Sequence, residues 1–380
     1  MSIAGKYAIV GVGNTAYGKL HGRSAESLTV EAIRNACEDA GIDKNEIDAV
    51  ITKDPTSNLQ HLFCAKIAEH IGVVPKVTAT LDQAGATNIG AIAYACWCIE
   101  EGLCSTAVVS YGDNPITGNR ATYGRPRGVG APYGLFGAVS GYALTAQRYL
   151  QKYGKVNADM APWPLGTRKW AQMNPNACYR KPMTLEEHQA SRWVAEPLHL
   201  FDCTSIQDGA AAVIVTSVER AKSLKKQPIY IHGYGQGHIA WDIQTREHYT
   251  VTGAKRSGEV AFKMAGISAK DVDFCQLYDC FSIVPILTLE DYGFCAKGEG
   301  CDFIADNKTH PGGSLPCNTS GGLLSETGMP GMQLVVEGVR QARGECGERQ
   351  VPKHTIGVIS NQGGQLHTHS TLVISPEARL

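Results

Sequence analysis

The sequence carries almost no excess charge, no paired-cysteine motif and no long apolar run. Thirty-five basic residues against 36 acidic ones leave a net charge of -1 over 380 residues. Nothing here gathers phosphates by bulk charge, which argues against a nucleic-acid binder. Without 18 consecutive apolar residues there is no candidate membrane-spanning helix. The start, MSIAGKYAIVGVG, lacks the basic flank, apolar core and small-residue cleavage site of a secretory signal, so a soluble, cytoplasmic chain is expected. None of the 13 cysteines forms a C-x-x-C pair. That argues against a zinc ribbon, and a disulfide framework is not expected in an intracellular chain of this size. Most of these thiols read as small buried hydrophobes. Eight phenylalanines against 42 glycines suit an α/β enzyme with tight turns and small-residue packing.

What is present is an alternation of strand-like and helix-like segments. Tyr7 to Val12 reads as a strand. In the stretch SAESLTVEAIRNACEDAGI, Leu28, Ala32, Ile33 and Ala36 share one helical face, with Ser24 as cap and Gly41 as stop. Strands at Ile47 to Thr52, 76–81 and Thr106 to Tyr111 alternate with helices at about 60–71 and 87–102. This alternation predicts a mostly parallel sheet covered on both faces. Residues 115–200 break the rhythm, with a basic Gly/Pro-rich stretch, Thr122 to Gly134, expected to be a mobile loop. The rhythm resumes at Ala210 to Thr216. Ala40-Gly-Ile-Asp-Lys-Asn-Glu-Ile-Asp48 is then matched by Ala265-Gly-Ile-Ser-Ala-Lys-Asp-Val-Asp273, helix end, glycine stop and strand start recurring at one spacing. Two copies of a βαβ-type half follow from that repeat, over residues 1–225 and 226–380.

Two motifs point elsewhere and carry little. Gly11-Val-Gly13-Asn-Thr-Ala16 fits a dinucleotide fingerprint, but the loop runs on to Arg23 before the helix opens, and the fingerprint needs its helix at the glycines. His367 and His369 share a face if both lie in one strand, yet no nearby carboxylate completes a metal site. No metal is expected, and a place in the wall of an active site is the preferred reading of these histidines.

Several segments, in order, carry a resemblance: Asn174-Pro-Asn-Ala177, Asp202-Cys-Thr-Ser-Ile-Gln-Asp-Gly-Ala-Ala-Ala212, Tyr278-Asp-Cys-Phe281, Leu315-Pro-Cys-Asn-Thr-Ser-Gly-Gly322 and Ser360-Asn-Gln-Gly-Gly364. Over essentially the whole chain they resemble the thiolase superfamily, in its lipid-transfer-type branch. The resemblance implies a five-layer αβαβα sandwich of two similar halves, with a loop domain inserted in the first half at about 115–200. It also implies coenzyme A as substrate or product, with no permanently bound cofactor.

Departures from the family decide the chemistry. The family's nucleophilic cysteine falls at Gly85, in Asp82-Gln-Ala-Gly-Ala-Thr-Asn88. The histidine that activates it falls at Gly328, and the second cysteine meets Ser360-Asn361. A ping-pong route needs a thiolate beside a base, and none of these positions supplies one. Thiolysis of a branched β-ketoacyl-CoA without an acyl-enzyme is put first, and resemblance to benzoylsuccinyl-CoA thiolase subunits of anaerobic aromatic degradation favours it. Retro-aldol cleavage of a β-hydroxyacyl-CoA is the alternative. Thiolase-fold aldolases also lack the cysteine and carry a Tyr-Asp-Cys-Phe motif, though a second tyrosine of theirs falls where Gly328 stands. A third reading is a non-catalytic subunit that binds CoA or lipid, and Cys280 and Cys317 remain as stand-in nucleophiles.

The expected site residues are Tyr278 as proton carrier, a backbone donor at Gly364 with Asn318 or Gln362 nearby for the oxyanion, and His369 as base. For the nucleotide end of CoA they are Arg168, Trp170 and Arg180, from the basic residues of 115–200. A homodimer is expected to pair through the strand Thr106 to Tyr111. The resemblance further implies a small partner carrying a zinc finger and an OB-like barrel.

Overall fold

The computed structural model describes residues 3–119, 129–240, 242–328 and 331–380. The first half carries β1 (Tyr7–Asn14), α1 (Ala25–Ala40), β2 (Ala49–Lys53), α2 (Phe63–Ile71), β3 (Val77–Leu81), α3 (Thr87–Glu100) and β4 (Thr106–Asp113). An insertion follows with α4 (Val139–Tyr153), α5 (Pro162–Gln172), α6 (Leu185–Ala190) and the small hairpin of β5 (Trp193–Ala195) and β6 (Leu198–His199). β7 (Gly209–Ser217) and α7 (Val218–Ala221) return to the first half. The second half carries β8 (Ile229–His238), α8 (Gly253–Ala265), β9 (Phe274–Gln276), α9 (Ile283–Asp291), α10 (Gly300–Ala305), α11 (Gly322–Ser325), α12 (Met332–Ala342), β10 (Gly357–Gly363) and β11 (Thr368–Ser375).

The strands run in the order β3-β2-β4-β7-β1-β8-β11-β10-β9. Read outward from the centre, β1-β7-β4-β2 in one half mirrors β8-β11-β10-β9 in the other. The counterpart of β3 is reduced to one parallel bridge, Cys275 to Cys317. The two half-sheets meet where Ala8 and Ile9 pair with Tyr230 and Ile229. Helices α3 and α12 lie between the halves. α3 packs on β2, β4 and β7 from one side and on β10 and β11 from the other, while α12 packs on β9 and β10 and on β1 and β7. Outside them, α1 and α2 cover the first half and α8 covers the second. These are the five layers expected. The sheet itself is mixed rather than mostly parallel: β2 is parallel to β3 and β4, and β9 to β10, but the other five neighbouring pairs are antiparallel. The reason is that β7, β8 and β11 enter through hairpin-like or inserted connections that need no right-handed crossover.

The repeated nonapeptide has one structure in both copies. α1 and α8 end at Gly41 and Gly266, with φ of 71° and 72°, the left-handed region that glycine enters without strain. Asp43 and Ser268 then open single 3₁₀ turns, each with a capping box. Asp48 accepts backbone N–H groups from Ser105 and Thr106, and Asp273 does the same for Thr355 and Ile356. Each carboxylate thereby sews the start of its strand to the start of β4 or β10. Gly11 and Gly13 in β1 have a comparable purpose. A Cβ on either would collide with the α1 backbone at Ala36 or Ala32, so they bring the helix onto the sheet and form no phosphate loop. Gly233, Gly235 and Gly237 in β8 admit α8 in the same way.

β4, expected to pair across a dimer axis, is interior, bonded to β2 on one edge and β7 on the other. Its uninterrupted apolar run reflects burial on both faces and says nothing of an edge. The open edge in the first half is β3. No helix of the described residues is long and apolar enough to cross a membrane.

Candidate active site

The site is assembled where the two halves face each other beyond the ends of β9 and β10. β9 stops at Gln276, but Asn318 continues its edge. Its Oδ1 accepts from Leu277 N at 2.7 Å, and its Nδ2 donates to Leu277 O at 2.8 Å. Asn318 itself sits at φ 51°, a left-handed position that asparagine tolerates better than most residues. On the other side Tyr278 N donates to Ser360 Oγ at 3.2 Å. Asp279, fully enclosed, accepts from Leu323 N at 2.7 Å and Trp163 Nε1 at 3.1 Å, and burial pushes its carboxyl up to about 7. The segment 277–279 is thus fastened on three sides, and the Tyr278 ring projects from it across to the first half.

Gly85 meets that ring. It lies in the turn before α3, where Ala84 N donates to Asp82 Oδ1 at 2.8 Å and Gln83 N to Thr87 Oγ1 at 2.7 Å. A Cβ on Gly85 would run into Tyr278 Oη and the Gln362 carbonyl, well inside van der Waals contact. The phenol therefore fills the space that a side chain at position 85 would need. Gly328 is closed in the same manner, since a Cβ there would run into the Ser205 carbonyl.

Behind the glycine turn at 363–364 lies a polar cluster. Gln362 Nε2 donates to Tyr142 Oη and lies 3.4 Å from Cys280 Sγ, while Tyr142 Oη donates to the Gly364 carbonyl at 2.7 Å. In front of the turn is a cleft of about 420 Å³, lined among others by Asp82, Ala84, Gly137, Asp242, Gly364 and His367. That volume lies in the range of small-molecule sites. Tyr278, 6% exposed, lies just behind this floor, against the chain neighbour of Ala84.

Gly364 lines the cleft, Tyr278 lies behind it beside Gly85 and the Gln362 carbonyl, and the other expected residues do not line the cleft. Both polar atoms of the Asn318 side chain are engaged by Leu277, so Asn318 shapes the segment that carries Tyr278. His369 is wholly enclosed in β11, edge-on to Tyr292 at 6.0 Å, with neither ring nitrogen bonded among the described residues and burial lowering its pKa to about 3. His367 lines the cleft together with His238, and lies outside β11 because the turn at Gly364 to Leu366 comes first; burial, with Arg246 nearby, lowers its pKa to about 4. Arg168 is 7% exposed, its Nε donating to Ser325 Oγ and its Nη1 to the Lys181 carbonyl, with Tyr179 and Phe201 against its plane. Trp170 is buried, donating to the Thr309 carbonyl at 3.1 Å. Arg180 is exposed, bonded to the Gln172 carbonyl. Arg125, Arg127 and most of the loop 122–134 lie outside the described residues.

Cys280 and Cys317 are enclosed, and burial raises both thiols, Cys280 to about 12, the opposite of what a nucleophile needs. Among the described residues no group of three or more His, Cys, Asp or Glu side chains is placed to hold a metal ion. Tyr142 had no signal in the sequence: it stands on a helix of the insertion, and nothing in its neighbourhood there marks it out.

A family described as thiolase C-terminal domain-like matches residues 235–376. The chain is 35% identical over 363 residues to a steroid side-chain-cleaving aldolase of Thermomonospora curvata, covering 90% of this chain and 91% of that one. It is 32% identical to an acetyl-CoA acetyltransferase of Methanothermobacter thermautotrophicus, over 97% and 99% of the two chains. A benzoylsuccinyl-CoA thiolase subunit of Thauera aromatica is 34% identical over 60% of this chain and 61% of that one. Among solved structures, the Ltp2-ChsH2(DUF35) aldolase superposes with a TM-score of 0.88 over 98% of both chains, at 32% identity. The chain belongs to the thiolase superfamily, in its lipid-transfer-type branch.

Proposed function

We propose that the chain cleaves a carbon–carbon bond of a branched β-hydroxyacyl-CoA by a retro-aldol reaction. The observation that carries this reading is the Tyr278 phenol in the side-chain space of Gly85. Thiolysis, put first from the sequence, is supported at the level of the superfamily alone. The relative named as an aldolase and the aldolase structure favour the other reaction.

In the proposed step Tyr278, as its phenolate, accepts the proton of the β-hydroxyl, directly or through one water. The Cα–Cβ bond breaks, its electron pair moves to Cα, and Cβ becomes the carbonyl of a released ketone or aldehyde. The charge that develops on the thioester oxygen is met by the Gly364 N–H. The proton then returns to Cα, and a shortened acyl-CoA leaves. Atoms and charge balance without a second substrate, and no acyl-enzyme forms. CoA enters and leaves as part of the substrate, and Arg180 is the exposed cation proposed for its nucleotide end.

We assign the chain to a cytoplasmic homodimer with a small zinc-finger and OB-barrel partner. The open edge of β3, flanked by the exposed Val74 and Leu62, supports pairing of two copies, because an uncovered strand edge is otherwise an aggregation hazard. The superposed aldolase joins two named components, Ltp2 and ChsH2(DUF35), which supports the partner. Thirteen free thiols suit a reducing compartment.

The test is product analysis. A synthetic branched β-hydroxyacyl-CoA should yield a ketone or aldehyde and a shortened acyl-CoA with no free CoA added. Turnover only of a β-ketoacyl-CoA, and only with free CoA, means thiolysis. Turnover of neither, with or without the partner, means a non-catalytic subunit.

A further inference from the structure

The glycine turn that borders the cleft is held from outside the thiolase halves. Tyr142 comes from α4, in the insertion, and is 2% exposed, its ring stacked on Phe281 with centroids 4.3 Å apart. Its hydroxyl donates to the Gly364 carbonyl at 2.7 Å and accepts from Gln362 Nε2. The other end of the Gln362 amide, Oε1, accepts from Leu366 N at 3.0 Å. The peptide from Gly364 to Gln365 is held at both ends, its carbonyl by Tyr142 and its N–H by His367 Nδ1 at 3.4 Å. The preceding carbonyl, of Gly363, accepts from His367 N at 3.2 Å. In a trans peptide the N–H points opposite to the carbonyl, so the Gly364 N–H is turned away from His367. Among the described residues no group accepts from it, and Gly364 lines the cleft. Gly364 has φ 70°, a conformation with little intrinsic preference to keep the turn in one orientation.

We infer that Tyr142 is a positioning residue: through the Gly364 carbonyl and Gln362 it fixes the direction in which the Gly364 N–H is presented to the thioester oxygen. This rests on the retro-aldol reading of the same site, and it makes the insertion part of the catalytic apparatus. Without the hydroxyl, the Gly364 carbonyl and Gln362 Nε2 lose their shared partner and the turn can rotate. Loss of the hydroxyl leaves the stacking on Phe281 in place, so Tyr142→Phe should fold.

The test has a kinetic arm and a binding arm on the full chain. On a β-hydroxyacyl-CoA, Tyr142→Phe should lower kcat by about 10²-fold, the scale of a small misplacement of a catalytic group, with KM raised by about fivefold at most. Tyr149→Phe, on the same helix with its hydroxyl on Glu290 at 2.6 Å, is the control and should keep its kcat. In the binding arm, isobutyryl-CoA is compared with S-isobutyl-CoA, a thioether lacking the carbonyl oxygen. The wild type should favour the thioester by about fivefold, the worth of one hydrogen bond, and Tyr142→Phe should not distinguish the two. That outcome supports the positioning role even if the wild type cleaves no β-hydroxyacyl-CoA, in which case the proposed reaction fails alone. An unchanged kcat and undiminished discrimination in Tyr142→Phe overturn the inference. So does an equal loss of affinity for both compounds, which marks a purely structural residue.

Discussion

The two halves of the molecule share a strand order, a helix-end motif and a carboxylate that sews each strand start, yet they bring different things to the site. The first half brings space. Its contribution beside the cleft is the turn Asp82 to Ala84, followed by the glycine at position 85. In the proposed reaction the second half brings the reacting groups, Tyr278 beyond β9 and the Gln362–Gly364 turn at the end of β10. The asymmetry extends to the outer strand. β3 is a full strand on an open edge, whereas its counterpart is one bridge, completed by the Asn318 side chain, which does for Leu277 what a strand backbone would do. A duplicated scaffold can thus hold one copy of the catalytic groups when the other copy is emptied to receive them.

Filling the emptied half should have the largest effect. Gly85→Ala puts a methyl into the space of the Tyr278 hydroxyl and the Gln362 carbonyl. Turnover should fall by about 10³-fold, more than loss of a single acid–base group, and stability by about 1–3 kcal/mol, as for an overpacked core. Steady-state kinetics and chemical denaturation read the two effects. Tyr278→Phe removes the chemistry and keeps the packing, so kcat should fall by about 10²-fold with stability nearly unchanged. Asn318→Ala attacks the improvised strand: two buried backbone groups of Leu277 lose their partners, and denaturation should show a loss of about 3 kcal/mol. Asn318→Gly, free of the left-handed strain, should lose less.

A pH dependence is expected as well. The Asp279 carboxyl is pushed up to about 7 by burial, from an ordinary value of 3.8. Between those values the unfolded chain has released a proton that the folded chain keeps. The contribution of Asp279 is therefore whole below about pH 4 and is lost as pH rises through about 7. Asp279→Asn should flatten that segment of the stability profile, and urea titrations at pH 4, 5.5 and 7 would show the flattening.

The fold was legible because its signals are local and repeated. The glycine stop, the 3₁₀ turn and the strand start of the nonapeptide each lie within a few residues, and they recur. Gly85 and Tyr278 were each legible as departures from a family pattern. Their contact was not, since it joins positions almost 200 residues apart. Strand boundaries misled the reading of the histidines: the turn after Gly364 leaves His367 on the cleft and takes His369 into the layer under α8. Arg168 and Trp170 looked available because they lie in an irregular, basic region. Aromatic faces and carbonyls close over them instead, and a sequence does not show a cation covered by residues from a distant turn. For β4, an apolar run spoke for burial and could not separate an interior strand from a pairing edge.

The central claim is that one volume beside α3 belongs to the Tyr278 phenol and that the phenol carries the reaction from there. A double-mutant cycle of Gly85→Ala and Tyr278→Phe, read as kcat/KM on a β-hydroxyacyl-CoA, tests it most directly. If the added methyl acts by displacing the phenol, the two losses overlap, and the double variant should be no worse than Gly85→Ala alone within about threefold. Losses that multiply would show that the two positions act independently and would contradict the account.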